Sequence, residues 1–172
     1  MKPEASNQPL KVRFLPSPRA HRGRLLSGEG PGAAVHAGSF LRKREIVLDS
    51  VLLGSPGELV RILAHEVFHF VWMRLGNRAR RSYESLLQDE VRRGARGELG
   101  WSSERRKLAL RGLDRNERTR QWREYVCESF CDTAAWLFAG LRRHAEYTLA
   151  PSYRRRRRAW FRHAEGLKRI SV

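Results

Sequence analysis

The stretch LVRILAHEVFHFVWMRL, residues 59–75, places apolar side chains on nearly every face of a helix, the pattern of a helix inside a core rather than on a surface. Its start is marked by Ser55, Pro56 and Glu58, read as a capping box with proline at the first helical position, and its end by Gly76. Polar groups inside such a helix are costly unless something answers them. Three stand together here: His65, Glu66 and His69. The i, i+4 spacing puts both imidazoles on one face, where they can grip one ion. Glu66 is rotated by one residue, so its carboxylate can reach a water on that ion without binding the ion itself.

HExxH on a helix is the zincin signature, which makes His65 and His69 the expected zinc ligands and Glu66 the expected general base. The residues inside and flanking the motif, 62–64, 67–68 and 70–71, carry no charge. A catalytic zinc takes a third protein ligand and leaves its fourth position to water. The chain carries a formal net charge of +17, yet residues 124–141 contain no Lys or Arg. Within them Glu124, Glu128 and Asp132 lie at i, i+4 and i+8 of a long helix expected from about residue 116 to 141. Such a stripe of acids repels itself unless a cation sits against it.

In these features the sequence resembles the gluzincins, zinc peptidases whose third ligand is a glutamate on a second, downstream helix. In the thermolysin-like branch an aspartate four residues after that glutamate holds the first histidine. Glu128 and Asp132, in Glu-Ser-Phe-Cys-Asp, stand in that relation. The resemblance therefore implies Glu128 as ligand and Asp132 as the carboxylate that orients His65, with Glu124 as the other choice of ligand. It covers roughly residues 44–140. The compact size is similar to the minimal gluzincins and ImmA/IrrE-type peptidases, whose small sheet precedes the active helix. The 58 residues between His69 and Glu128 exceed the spacing of the smallest members, which implies a helical insertion at about 78–113. No third histidine follows at the metzincin spacing.

A chain of 172 residues, 41% hydrophobic, can bury one substantial core. The expected organisation is a disordered N-terminus over residues 1–10, a zincin-like metallopeptidase domain over 11–141 and an arginine-rich extension over 142–172. The fold class is α+β, mostly helical, with a small N-terminal sheet packed on the active-site helix. Residues 11–15 read as a strand, 16–34 as a loop, 34–53 as a strand or hairpin, and 82–96 and 102–111 as helices. Cys127 and Cys131 read as two small buried thiols. No membrane span or secretory signal is visible, so a cytoplasmic protein is expected.

For an oxyanion the candidate donors are His144, Tyr147 and Tyr153, which follow the ligand helix. The run Arg154, Arg155, Arg156, Arg157 and Arg158 is a candidate contact to nucleic acid or an acidic surface. The expected function is zinc-dependent hydrolysis of a protein or peptide substrate. The alternative is a basic nucleic-acid-binding protein with a structural or vestigial zinc site.

Overall fold

The computed structural model describes residues 9–164; of the N-terminal stretch expected to be disordered, all but Pro9 and Leu10 lies outside them. β1 (Lys11–Leu15) runs parallel to β6 (Glu45–Asp49), and β5 (Ala37–Phe40) pairs antiparallel on the other side of β6. The central strand is where the β-branched and aliphatic residues fall: Ile46, Val47 and Leu48 are fully buried. The stretch expected as a loop forms a second small sheet, with β2 (Pro18–His21) between β3 (Arg24–Ser27) and β4 (Ala33–Ala34). The glycines and arginines that read as loop residues are its turns and its exposed faces.

Helix α1 (Pro56–Arg74) follows the first sheet and is sandwiched. Leu59, Ile62, Leu63, Val67 and Phe70 pack on Ile46, Leu48 and Leu52. On its other side Phe68, Val71 and Trp72 meet α5 (Arg120–Phe138), its main helical partner. The start at Pro56 is as expected, but the capping box does not form. Ser55 makes no side-chain cap bond, and Glu58 turns instead to Arg61 and His144.

Helices α2 (Asn77–Arg92) and α3 (Trp101–Leu108) occupy the expected insertion. They are built into the core: Tyr83 and Leu87 of α2 are fully buried against α5. The single helix expected from residue 116 is two. After α4 (Gly112–Glu117), Arg118 adopts a left-handed conformation with φ 49°, and Thr119 begins α5 by accepting the Trp122 N–H.

The C-terminal arginine-rich stretch is not a mere extension. It forms α6 (Pro151–His163), whose Phe161 joins the main core and whose Arg157 is fully buried. No described helix is long and apolar enough to cross a membrane.

Candidate metal centre

Helices α1 and α5 cross so that one face of each meets the other. His65 Nε2 lies 3.2 Å from His69 Nε2 and 3.3 Å from Glu128 Oε2. Behind His65, Asp132 Oδ1 accepts from Nδ1 at 2.7 Å, so Nε2 is the ring nitrogen turned toward His69 and Glu128. Both side chains are nearly out of solvent, at 12% for His65 and 3% for Asp132. Burial pushes the His65 imidazole down, but Asp132 and Glu128 outweigh it and hold the ring well above its ordinary pKa. Burial raises the Glu128 carboxyl, yet His65, His69 and Arg106 bring it down to about 2. A carboxylate and two imidazole nitrogens thus converge in a nearly dry site, a donor set able to hold a cation.

His69 is held from behind by sulfur. Its Nδ1 lies 3.5 Å from Cys131 Sγ and 3.6 Å from Cys127 Sγ. The two thiols are therefore not bland core residues: they brace the second histidine as Asp132 braces the first. Their mutual hydrogen bond, opposed by burial and aided by His69, lowers Cys127 to about 6, whereas burial carries Cys131 well above its ordinary value. His65, His69 and Cys131 also bring a donor atom each within 4.8 Å of one another. Cys131, however, approaches the ring nitrogen of His69 that faces away from His65.

Helix α3 closes the centre from a side that the motif does not announce. The Ser103 N–H donates to Asp132 Oδ2 at 2.9 Å. Ser102 Oγ donates to Glu128 Oε2 at 2.5 Å, and Arg106 reaches Glu128 Oε1 at 3.2 Å. Carboxylates at the first turn of a helix face its unpaired N–H groups, and the helix dipole adds to the attraction. The approach is possible because residue 100 is glycine. A Cβ there would meet the Asp132 carboxylate at 2.2–2.4 Å. In the sequence Ser102, Ser103 and Arg106 are marked only as part of the helix expected over residues 102–111, and Gly100 lies outside it.

Glu66 is 8% exposed and turns toward β5, where Ser39 Oγ donates to its Oε2 at 2.5 Å. Glu124, the alternative ligand, is absent from the centre: it is 46% exposed and paired with Arg120 on the surface. His144 sits beside the N-terminal turn of α1, with Nε2 2.7 Å from Glu58 Oε1 and Nδ1 accepting the Glu146 N–H. Tyr147 is buried, and its hydroxyl has no hydrogen-bond partner among the described residues. Tyr153 packs at the edge of the cluster of Ala95, Leu99, Tyr147 and Leu149. Glu58, His144 and Glu146 form a second cluster of potential ligands. Arg61 stands among them with NH2 2.8 Å from both carboxylates, so their charge is already answered.

Most of the arginine run makes contacts with the rest of the fold, although only Arg157 is buried. Arg154 donates to the carbonyls of Leu149 and Tyr147, Arg156 pairs with Asp89, and Arg158 lies over the Trp136 ring. Arg157, with no exposed surface, bridges Glu90 and Glu98 at 2.6 Å each and donates to Ser129 and Thr133. Those two hydroxyls directly follow Glu128 and Asp132 in α5, so this buried network pins the back of the helix that presents both carboxylates.

Comparison with protein-family models, curated proteins and solved structures finds no match to the chain. Within the centre, His65, His69 and Cys131 form a group that could hold a metal ion, and Glu128 lies against His65.

Proposed function

We propose that the chain is a zinc-dependent metallopeptidase of gluzincin type, acting on protein or peptide substrates in the cytoplasm. In this reading His65, His69 and Glu128 hold the zinc. The observation that carries it is the pair of separations from His65 Nε2, 3.2 Å to His69 Nε2 and 3.3 Å to Glu128 Oε2. Ligands bonded to zinc at ~2.0–2.1 Å stand ~3.3 Å apart along the edges of a tetrahedron. The donor set fits as well, since imidazole and carboxylate both suit zinc.

When bound, zinc supplies Lewis acidity and brings the pKa of a water near neutrality. Glu66 then accepts the proton of the attacking water and returns it to the leaving amine. Ser39 holds the Glu66 carboxylate through the hydrogen bond at 2.5 Å. Asp132 fixes His65 in the tautomer whose Nε2 lone pair is free. Among the described strands β5 has only β6 beside it in its sheet, so its outer edge offers backbone groups to an extended peptide lying beside Glu66. For the oxyanion we favour Tyr147. Burial raises its pKa, and its hydroxyl has no hydrogen-bond partner among the described residues, whereas His144 is engaged at both ring nitrogens.

A purely structural zinc site has no need of a carboxylate such as Glu66 beside the motif. The test compares wild type with Glu66→Gln on an unfolded protein substrate, with fragments read by mass spectrometry and zinc measured in both. The reading expects zinc in both and cleavage by wild type alone. Equal cleavage, or none by zinc-loaded wild type on any unfolded or partner protein, contradicts it.

A further inference from the structure

A concave surface lies between α2 and the α4–α5 junction. One part, a cavity of about 310 Å³, is lined by Trp72, Arg80, Arg81, Arg118 and Arg123. It continues past Arg118 into a cavity of about 480 Å³ that holds Arg92, Arg115, Gln88 and Asn116. The larger cavity has no apolar side chain in its lining.

The charges of this groove are unevenly answered. Arg118 pairs with Glu84 and Arg92 with Asp89, both at 2.6 Å. Among the described residues Arg80, Arg115 and Arg123 form no ion pair with a carboxylate, and Arg81 acts on Glu84 only at longer range. Arg80 donates to the Met73 carbonyl and leaves its buried Nε–H unpaired. Arg123 donates to the Arg118 carbonyl, and Arg115 reaches only the Asn116 side chain, at 3.4 Å. Like charges gathered in one groove repel each other and raise the local potential for an anion.

We infer that this groove docks the phosphodiester backbone of a nucleic acid. Arginine forks match phosphate oxygens, and the neighbouring side-chain amides supply further donors. From Arg81 to Arg92 along α2 is about 17 Å at ~1.5 Å per residue. That length covers about five phosphates of one duplex strand at ~3.4 Å each, more than a single phosphate group needs. The larger cavity has no apolar lining to seat the side chains of a peptide, and the apolar lining of the smaller one is limited to Trp72 and Val126. Contacts of this kind carry affinity without reading sequence. The expected nucleic-acid contact of the chain thus moves from Arg154–Arg158 to α2, α4 and the start of α5. The smaller cavity is lined in part by Trp72 of α1 and Val126 of α5, the two helices that carry the metal centre.

The test is fluorescence anisotropy of labelled 30-nucleotide DNA, single-stranded and duplex, with the zinc-loaded full chain between about 50 and 200 mM salt. Wild type is compared with Arg80→Gln/Arg81→Gln/Arg115→Gln/Arg123→Gln and with Arg155→Gln/Arg158→Gln as a charge control. Each lost phosphate contact lowers the log–log salt slope by about 0.9. The groove variant is therefore expected to lose about 3 to 4 from the slope and at least about tenfold in affinity. The control stays within about twofold of wild type. Circular dichroism and zinc content check folding; should the fourfold variant not fold, Arg81→Glu and Arg115→Glu, made singly, give the same reading with smaller steps. The inference is overturned if wild type binds neither DNA, if the groove variants keep the wild-type slope, if the control loses as much as they do, or if poly-glutamate of equal charge binds more tightly than DNA.

Discussion

Gly100 lies against Asp132 so closely that a methyl group on it would meet the carboxylate oxygens at 2.3 and 2.4 Å. Asp132 cannot step aside, because it is held by the Ser103 N–H at 2.9 Å and by His65 Nδ1 at 2.7 Å. Gly100→Ala must therefore push the carboxylate off His65 or lift α3 from the centre. Disturbing a carboxylate that orients a ligating histidine costs about 10–100-fold in metal affinity. We expect Gly100→Ala to fall in that range and to match Asp132→Asn, measured by competition with a chelator. Unchanged affinity in both would show that Asp132 does not act through His65.

Ligand identity separates three acids and thiols on one helix. Glu128→Ala is expected to lower metal affinity more than Asp132→Asn does, because it removes a donor rather than a brace. Glu124→Ala, which loses only a surface pair with Arg120, is expected to leave affinity unchanged. Cys131→Ala is expected to weaken binding modestly through His69. If Cys131→Ala abolishes binding while Glu128→Ala retains it, the ion is held by His65, His69 and Cys131 instead.

The buried Arg157 network sets the acid limit of the fold. Burial raises the Glu98 carboxyl, but Arg157 and Lys107 outweigh it and bring its pKa down to about 2, below its ordinary 4.5. The folded state therefore binds this proton less readily than the unfolded chain does. The stability the pair contributes is complete above the unfolded pKa and is lost as pH falls from about 4.5 toward 2. Arg157→Leu leaves Glu90 and Glu98 uncompensated in the interior and is expected to cost about 3–5 kcal/mol. Urea denaturation at neutral pH checks the cost. The acid-induced loss between those pH values should shrink in Glu98→Gln/Arg157→Leu.

Of this architecture, the parts legible in the sequence were those governed by periodicity and spacing. The apolar run of residues 59–75 gave α1, the base-free stretch gave the buried half of α5, and Ile46–Leu48 gave the central strand. The i, i+4 rule brought His65 and His69 to one face, and the resemblance to gluzincins singled out Glu128 and Asp132, which lie against His65. What escaped was tertiary. The contacts of Ser102, Ser103 and Arg106 with the acids of α5 join residues more than 20 positions apart, through one backbone N–H, a hydroxyl and a guanidinium that no spacing rule connects to them. The thiols beside His69 looked like core cysteines because they are also that. Arg157 was hidden among identical neighbours: only the packing of α6 decides which arginine of five faces inward.

Metal content tests the central claim most directly. Purified full-length chain, folded by circular dichroism and dialysed against a low-affinity buffer containing zinc, is analysed by plasma mass spectrometry. A centre built from His65, His69 and Glu128 predicts about one equivalent of zinc per chain, falling sharply in Glu128→Ala and persisting in Glu66→Gln. Less than about a tenth of an equivalent of zinc or any other divalent metal in the folded wild type would contradict the account.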